Sequence, residues 1–198
     1  MVESDDMLEE MRLFARQSWI PIILDDSLEF IENLLSKKDV KNILEIGTAI
    51  GYSSICFSKF LKHSGKIDTI EIDKQRIMLA KANIDMYKLN NTINIIEGDA
   101  IKILPKLNKK YDFIFIDGPK SHYVEYLPIC LEMLNDDGVI IADNVNYKGM
   151  VKGEEKVKHK QRTAVTRLRE FIDKVRNDEK LNSELVDVGD GILAITKK

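Results

Sequence analysis

The sequence predicts a doubly wound α/β domain with a seven-stranded, mostly parallel sheet that ends in an antiparallel hairpin. Three observations predict it. Strand-like and helical patterns alternate from Asp39 onward. The strand-like runs are apolar on both faces, as strands covered by helices on each side must be. The rhythm then breaks near the C-terminus, where two strand-like runs flank Gly189-Asp190-Gly191, a turn suited to a hairpin.

Residues 3–17 and 23–37 carry helical periodicity, and Pro21 separates them, because proline ends or kinks a helix. Residues 1–38 thus read as an N-terminal helical cap on a domain spanning 39–198. Strands are expected at 42–46, 66–72, 92–96, 111–116 and 139–142, with helices at about 51–63, 74–89, 99–108 and 121–134 between them. A helix at about 160–179 precedes the hairpin strands 183–188 and 192–196. The Gly- and Lys-rich stretch Asn146–Lys160 has little apolar periodicity, which predicts a mobile loop near the site.

A chain of 198 residues with 44% hydrophobic and 32% charged side chains fits one folded domain rather than a disordered chain. The acidic start Met1-Val-Glu-Ser-Asp-Asp does not resemble a secretory leader. No apolar run approaches the roughly 18 residues needed to span a membrane. The expected location is cytoplasmic, and Cys56 and Cys130 are expected to be reduced core residues. No Cys/His cluster points to zinc. The net charge is only −3, yet Asn146 to Arg176 holds ten Lys/Arg against four Asp/Glu. That local excess is a pointer to a polyanionic partner.

The chemistry is concentrated where the strands end, since ligands of open α/β sheets sit at the carboxyl ends of the strands. Asn42-Ile-Leu-Glu-Ile-Gly-Thr-Ala-Ile-Gly-Tyr-Ser-Ser54 reads as a buried strand, a tight glycine turn and a helix start. The glycines let backbone approach a nucleotide-like ligand. The spacing Gly47-x-x-x-Gly51 is wider than that of a dinucleotide fingerprint. A carboxylate at Glu45, expected on the ligand side of the turn, would repel phosphate and suit a cation. S-adenosylmethionine, a cationic nucleoside, fits those terms. Glu71 follows Glu45 by 26 residues at the end of the second strand, where a carboxylate can accept both ribose hydroxyls. Asp99 and Ala100 would meet the adenine, although Asp99 equally suits a helix N-cap.

Asp117, Asp143 and Asn144 end the two central strands. Two carboxylates and an amide are hard oxygen ligands, which suit Mg²⁺ or another divalent cation of that kind. Such an ion would bind a substrate hydroxyl and lower its pKa. Lys120 follows Asp117 through Gly118-Pro119, a turn that would aim it back at the site. Partly desolvated, it is expected to have a lowered pKa and to act as general base. His122 is a rival base, although a histidine followed by an aromatic at a helix start is more often structural.

Taken together, these residues resemble the cation-dependent O-methyltransferases, which include the catechol and caffeoyl-CoA enzymes. The resemblance covers about residues 40–198 and rests on five separated motifs in order. It implies the Rossmann-like class I methyltransferase fold. It also implies that Glu45, Gly47, Tyr52 and Ser53 hold the methionine end of S-adenosylmethionine, with Glu71 on the ribose. Asp117, Asp143 and Asn144 match the family's metal triad, and Lys120 matches its catalytic lysine. Gly118-Pro119 stands where catechol enzymes carry bulky residues that sandwich a flat ring, which argues for a more open site. Trp19-Ile-Pro21-Ile-Ile, the loop Gly47-Thr-Ala-Ile-Gly-Tyr-Ser53, Asp143-Asn144-Val with Lys148-Gly149, and Arg162-Thr163 look like the bacterial tRNA 5-hydroxyuridine methyltransferases. That branch implies methylation of 5-hydroxyuridine at the wobble position to 5-methoxyuridine, with the tRNA anticodon loop as partner. Trp19, Tyr123 and Tyr147 are candidates to stack on its bases. A catechol-type small-molecule enzyme is the alternative, and a nucleotide-binding regulator without chemistry is a third. The apolar residues of the N-terminal helices (Met7, Leu8, Met11, Leu13, Phe14, Ile22, Ile23 and Leu24) would either cover the domain or pair two chains, and a homodimer is the favoured expectation.

Overall fold

The computed structural model describes residues 4–198. Seven strands form one sheet in the order β3-β2-β1-β4-β5-β7-β6. They are β1 (Val40–Ile46), β2 (Leu61–Glu71), β3 (Ile93–Glu97), β4 (Tyr111–Ile116), β5 (Leu134–Ala142), β6 (Leu181–Val186) and β7 (Ile192–Lys197). The first five pair in parallel, while β7 runs antiparallel to both β5 and β6. The fold expected from the sequence is therefore the fold found.

Seven α-helices cover the sheet: α1 (Ser4–Gln17), α2 (Asp25–Leu35), α3 (Tyr52–Ser58), α4 (Lys74–Met86), α5 (Ala100–Ile103), α6 (Tyr123–Met133) and α7 (Arg162–Arg176). Side chains alternate across the strands and feed two cores. Leu44, Ile46, Ile114, Ile116 and Ile140 pack with α6 and α7 through Tyr126, Leu127, Leu168 and Phe171. Ile43, Phe113, Phe115 and Ile141 pack with α1–α3 through Met11, Ile31, Leu35 and Phe57. Phe57 sits edge-on to Phe113 and Phe115, with ring centroids 5.6 and 5.3 Å away, a favoured aromatic arrangement. Burying each such ring contributes roughly 2–3 kcal/mol. The N-terminal helices share this second core, so the expected cap is packed into the sheet's own interior; its first three residues lie outside those described. Cys56 and Cys130 are buried free thiols, as expected.

Several boundaries differ from the sequence reading. The helix expected to reach residue 63 ends at Ser58, and β2 already begins at Leu61. Its pairing with β1 jumps from Val40↔Leu61 to Asn42↔Lys66, so the intervening residues form an excursion with left-handed His63 and Ser64. Likewise β5 begins at Leu134 rather than 139, and its register jumps from Tyr111↔Leu134 to Phe113↔Val139. Asn135-Asp-Asp-Gly138 supplies that turn. The helix expected at 99–108 stops at Ile103 and continues only as a 3₁₀ turn over Leu104–Lys106, because Pro105 has no N–H for the next helical bond.

The Asn146–Lys160 stretch is turn-rich but anchored at its start. Asn146 N–H donates to the Asp190 carbonyl at 2.9 Å and Lys148 N–H to its carboxylate at 2.6 Å. Lys152 pairs with Asp187 at 2.5 Å, and Arg169 of α7 donates to the carbonyls of Met150 and Val151.

Candidate active site

The carboxyl ends of β1, β2, β3, β4 and β5 open into one cleft of about 570 Å³. Gly47, Glu71, Asp99, Ala100, Asp117, Lys120 and Asn144 all line it. These seven come from five separate strand ends, brought together by topology alone.

Glycine is required at the floor. Gly47 has φ +109°, and a Cβ there would lie 2.6 Å from the Asp117 carbonyl oxygen. The first turn thus rests directly on the backbone of the fourth strand's end. Its peptides are tied to β2. Gly47 and Thr48 N–H both donate to the Ile70 carbonyl, and Ala49 N–H donates to Glu71 Oε2 at 3.0 Å. Glu71 Oε1 accepts from the N–H groups of Ile72 and Asp73 at 2.8 and 2.9 Å. Three backbone donors therefore hold a cleft-lining carboxylate that retains acceptor capacity. Asp99 caps α5 through Ile101 N–H at 3.1 Å and still lines the cleft, so its two expected roles are compatible.

Glu45 lies elsewhere than expected. It is fully buried beneath the turn rather than on its open side. Its carboxylate accepts from Ser53 and Thr69, each at 2.5 Å, and from Ser54. Burial pushes its pKa up to about 7, against the lowering effect of those hydroxyls. The strand's alternation explains this: Glu45 shares the face of Ile43, which is the face that α3 covers. Ser53 and Tyr52 are also buried, Tyr52 in the core shared with α1 and α2. In this arrangement Glu45 and Ser53 join β1 to α3 and shape the turn from below.

Asp117 and Asn144 line the cleft, whereas Asp143, next to Asn144 in the chain, is not among its lining residues. Asp117 N–H continues the ladder to the Ile46 carbonyl, and Asp143 N–H to that of Ile116, at 2.9 and 3.0 Å. Asp143 is wholly buried. Its Oδ1 accepts from Asn144 N–H at 2.8 Å and from Ser27 Oγ at 3.3 Å. Its Oδ2 has no hydrogen-bond partner among the described residues. Burial, then the nearby Asp117 charge, hold the Asp143 carboxyl well above the usual carboxylate range. Asn144 adopts φ +54°, a left-handed conformation that asparagine tolerates better than most residues. No three His, Cys, Asp or Glu side chains gather as a cation cage among the described residues. A cation would rest on two carboxylates and one amide. The unpartnered buried oxygen fits such an ion, because an orphaned buried acceptor costs about 1–3 kcal/mol when nothing binds it.

Lys120 points back into the cleft, as its turn predicts, but its protonation differs from expectation. Its Nζ donates to Asp117 Oδ1 at 2.7 Å and to the Tyr123 hydroxyl at 2.8 Å. Burial pulls its pKa down, but the Asp117 carboxylate and then Tyr123 more than offset that, and the net shift is upward. A raised pKa is the opposite of the lowered one expected of a poised base. The Tyr123 hydroxyl lies 3.0 Å from the carbonyls of both Ile116 and Asp143. Tyr123 is 0% exposed, so it cannot stack on an RNA base; it fixes Lys120 instead. His122 lines the cleft beside it.

Sequence reasoning missed Ser27, Ser54, Thr69, Pro21, Ile22 and Arg76, the last three as cleft-lining residues. The hydroxyls flanking Glu45 could have been found, since serines at positions 53 and 54 start the helix that covers its strand face.

A mostly parallel sheet with reversed β7, and a cleft over the ends of its central strands, defines a class I methyltransferase fold. The chain belongs to the O-methyltransferase family, whose model matches residues 1–198. It is 38% identical over 130 residues to a catechol O-methyltransferase of Niastella koreensis, a match covering 64% of this chain and 59% of that protein. A candidate caffeoyl-CoA O-methyltransferase from Staphylococcus aureus superposes with TM-score 0.89 and 32% identity, over 96% of this chain and 92% of that one. An O-methyltransferase from Bacillus cereus in complex with SAH (S-adenosylhomocysteine) superposes with TM-score 0.86 and 26% identity, over 100% and 93%. No helix among the described residues is long and apolar enough to cross a membrane.

Proposed function

We propose that this chain transfers the methyl group of S-adenosylmethionine to the 5-hydroxyl of a wobble uridine in tRNA, with the help of a divalent cation, Mg²⁺ by preference. One observation carries the catalytic part: the buried, unpartnered Oδ2 of Asp143 beside Asp117 and Asn144. These three residues would hold the cation. When bound, it supplies positive charge that lowers the pKa of the acceptor hydroxyl.

The chain's own residues do the rest. Glu71 accepts the ribose hydroxyls, while Asp99 and Ala100 border the adenine. Gly47 gives the methionine end room against the turn that Glu45 and Ser53 brace. The deprotonated acceptor oxygen attacks the methyl carbon, the carbon–sulfur bond breaks, and its electron pair stays on sulfur. The hydroxyl proton leaves to solvent. Lys120, held charged by Asp117, offsets negative charge on the acceptor oxygen. Positioning and electrostatics supply most of the rate.

The choice of acceptor rests on charge and openness. Lys156, Lys158, Lys160 and Arg162 are exposed and form no ion pair among the described residues. They lead into α7, whose Arg167 Nε donates to the Ser121 carbonyl at 3.3 Å, beside the turn that bears Lys120. Phosphates would meet that edge. Trp19, at 93% exposure, remains the better placed stacking candidate. Leu13, Phe14 and Leu24, exposed on or beside the N-terminal helices, are where two copies would pair. Catechol-type chemistry is the second reading, favoured by what the Niastella relative acts on.

The experiment incubates the protein with tRNA from a strain lacking its gene, labelled S-adenosylmethionine and Mg²⁺, followed by nucleoside mass spectrometry. One methyl is gained on 5-hydroxyuridine. Lys158→Ala lowers the salt slope of tRNA binding by about one. Methylation of a catechol with none on tRNA supports the second reading instead.

A further inference from the structure

We propose that Ser27, on an N-terminal helix remote in sequence from the catalytic loops, is a positioning residue that sets which oxygen of Asp143 is presented to the cation. The inference rests on the cation reading above. Ser27 is fully buried, a polar side chain in the first turn of α2. Its hydroxyl donates to Asp143 Oδ1, 116 residues away, at 3.3 Å. Asn144 N–H donates to the same oxygen at 2.8 Å. With both donors on Oδ1, Oδ2 is the oxygen left without a partner. A carboxylate with one donor on each oxygen would present neither freely. Two donors on one oxygen fix its orientation, as outer hydrogen bonds orient metal ligands elsewhere.

The approach of α2 depends on the hairpin turn. A Cβ added at Gly189 would lie 2.3 Å from Ser27 Oγ, closer than any real contact. A bare α-carbon at position 189 therefore lets the hydroxyl reach Asp143. The N-terminal helix and the β6–β7 turn meet over one carboxylate, which makes α2 part of the site.

The test measures Mn²⁺ affinity by titration with electron paramagnetic resonance, with S-adenosylhomocysteine affinity and Tm measured on the same proteins. Ser27→Ala weakens Mn²⁺ binding about ten-fold and leaves S-adenosylhomocysteine affinity and Tm near wild type. Gly189→Ala, which displaces the hydroxyl without removing it and also strains a backbone at φ +57°, weakens Mn²⁺ binding as well but with a lower Tm. Wild-type Mn²⁺ affinity in Ser27→Ala overturns the proposal. So does a parallel fall in all three quantities, the signature of a merely structural serine. Equal Mn²⁺ binding by wild type and Asp143→Asn overturns the cation reading itself, and the role of Ser27 with it.

Discussion

Asp143→Ala abolishes methyl transfer, lowering kcat by about 10³-fold, while S-adenosylhomocysteine still binds with near wild-type affinity. The two effects separate because the two halves of the cleft are built from different strand ends. Glu71, Asp99 and the glycine turn hang from β1, β2 and β3, and Glu71 is fixed by three backbone N–H groups that Asp143 does not touch. Asp143 follows β5, and its carboxylate accepts from Ser27 and its own neighbour's N–H. Removing it takes away a cation ligand and leaves the nucleoside end intact. Single-turnover assays with calorimetric S-adenosylhomocysteine binding check both halves. Full turnover by Asp143→Ala in chelator-treated buffer would sink the cation mechanism.

Lys120→Met lowers kcat by about 10²-fold, whereas Lys120→Arg retains activity within about ten-fold of wild type. The direction of the Lys120 pKa shift sets this pattern. Asp117 and Tyr123 raise the Lys120 pKa above its ordinary value. Its charged form, the one that offsets negative charge, therefore persists throughout the neutral range. Activity is lost through this group only as pH climbs beyond the ordinary lysine value of about 10.4. A general base of lowered pKa gives the opposite slope: activity rises with pH through neutrality, and arginine is as inactive as methionine. The pH–rate profile of wild type beside that of Lys120→Arg decides between them.

Much of this was legible in the chain because the fold writes itself in runs apolar on both faces. Strands such as 111–116 must face helices on each side, and Gly189-Asp190-Gly191 marks the one reversal. The seven cleft residues were legible for a related reason: an open α/β sheet places its strand ends at one rim. Register within a strand was harder. Glu45 has the parity of Ile43, so its carboxylate lies under α3, yet a motif reading places it beside the ligand. The starts of β2 and β5 were hidden because each carries an internal excursion, at His63-Ser64 and at Asn135–Gly138, that resembles a loop in sequence. The protonation of Lys120 depends on Tyr123, which reads as an aromatic available for stacking until its burial is known. Ser27 gave no signal at all, since its partner is 116 residues away.

The most direct test is a crystal structure grown with S-adenosylhomocysteine and Mn²⁺, with data collected to reveal the manganese anomalous signal. The account predicts ribose hydroxyls on Glu71 and an anomalous peak held by Asp117, Asp143 and Asn144 in the same cleft. A cofactor bound away from Glu71, or a cleft holding the cofactor with no anomalous peak at those three residues, would contradict it.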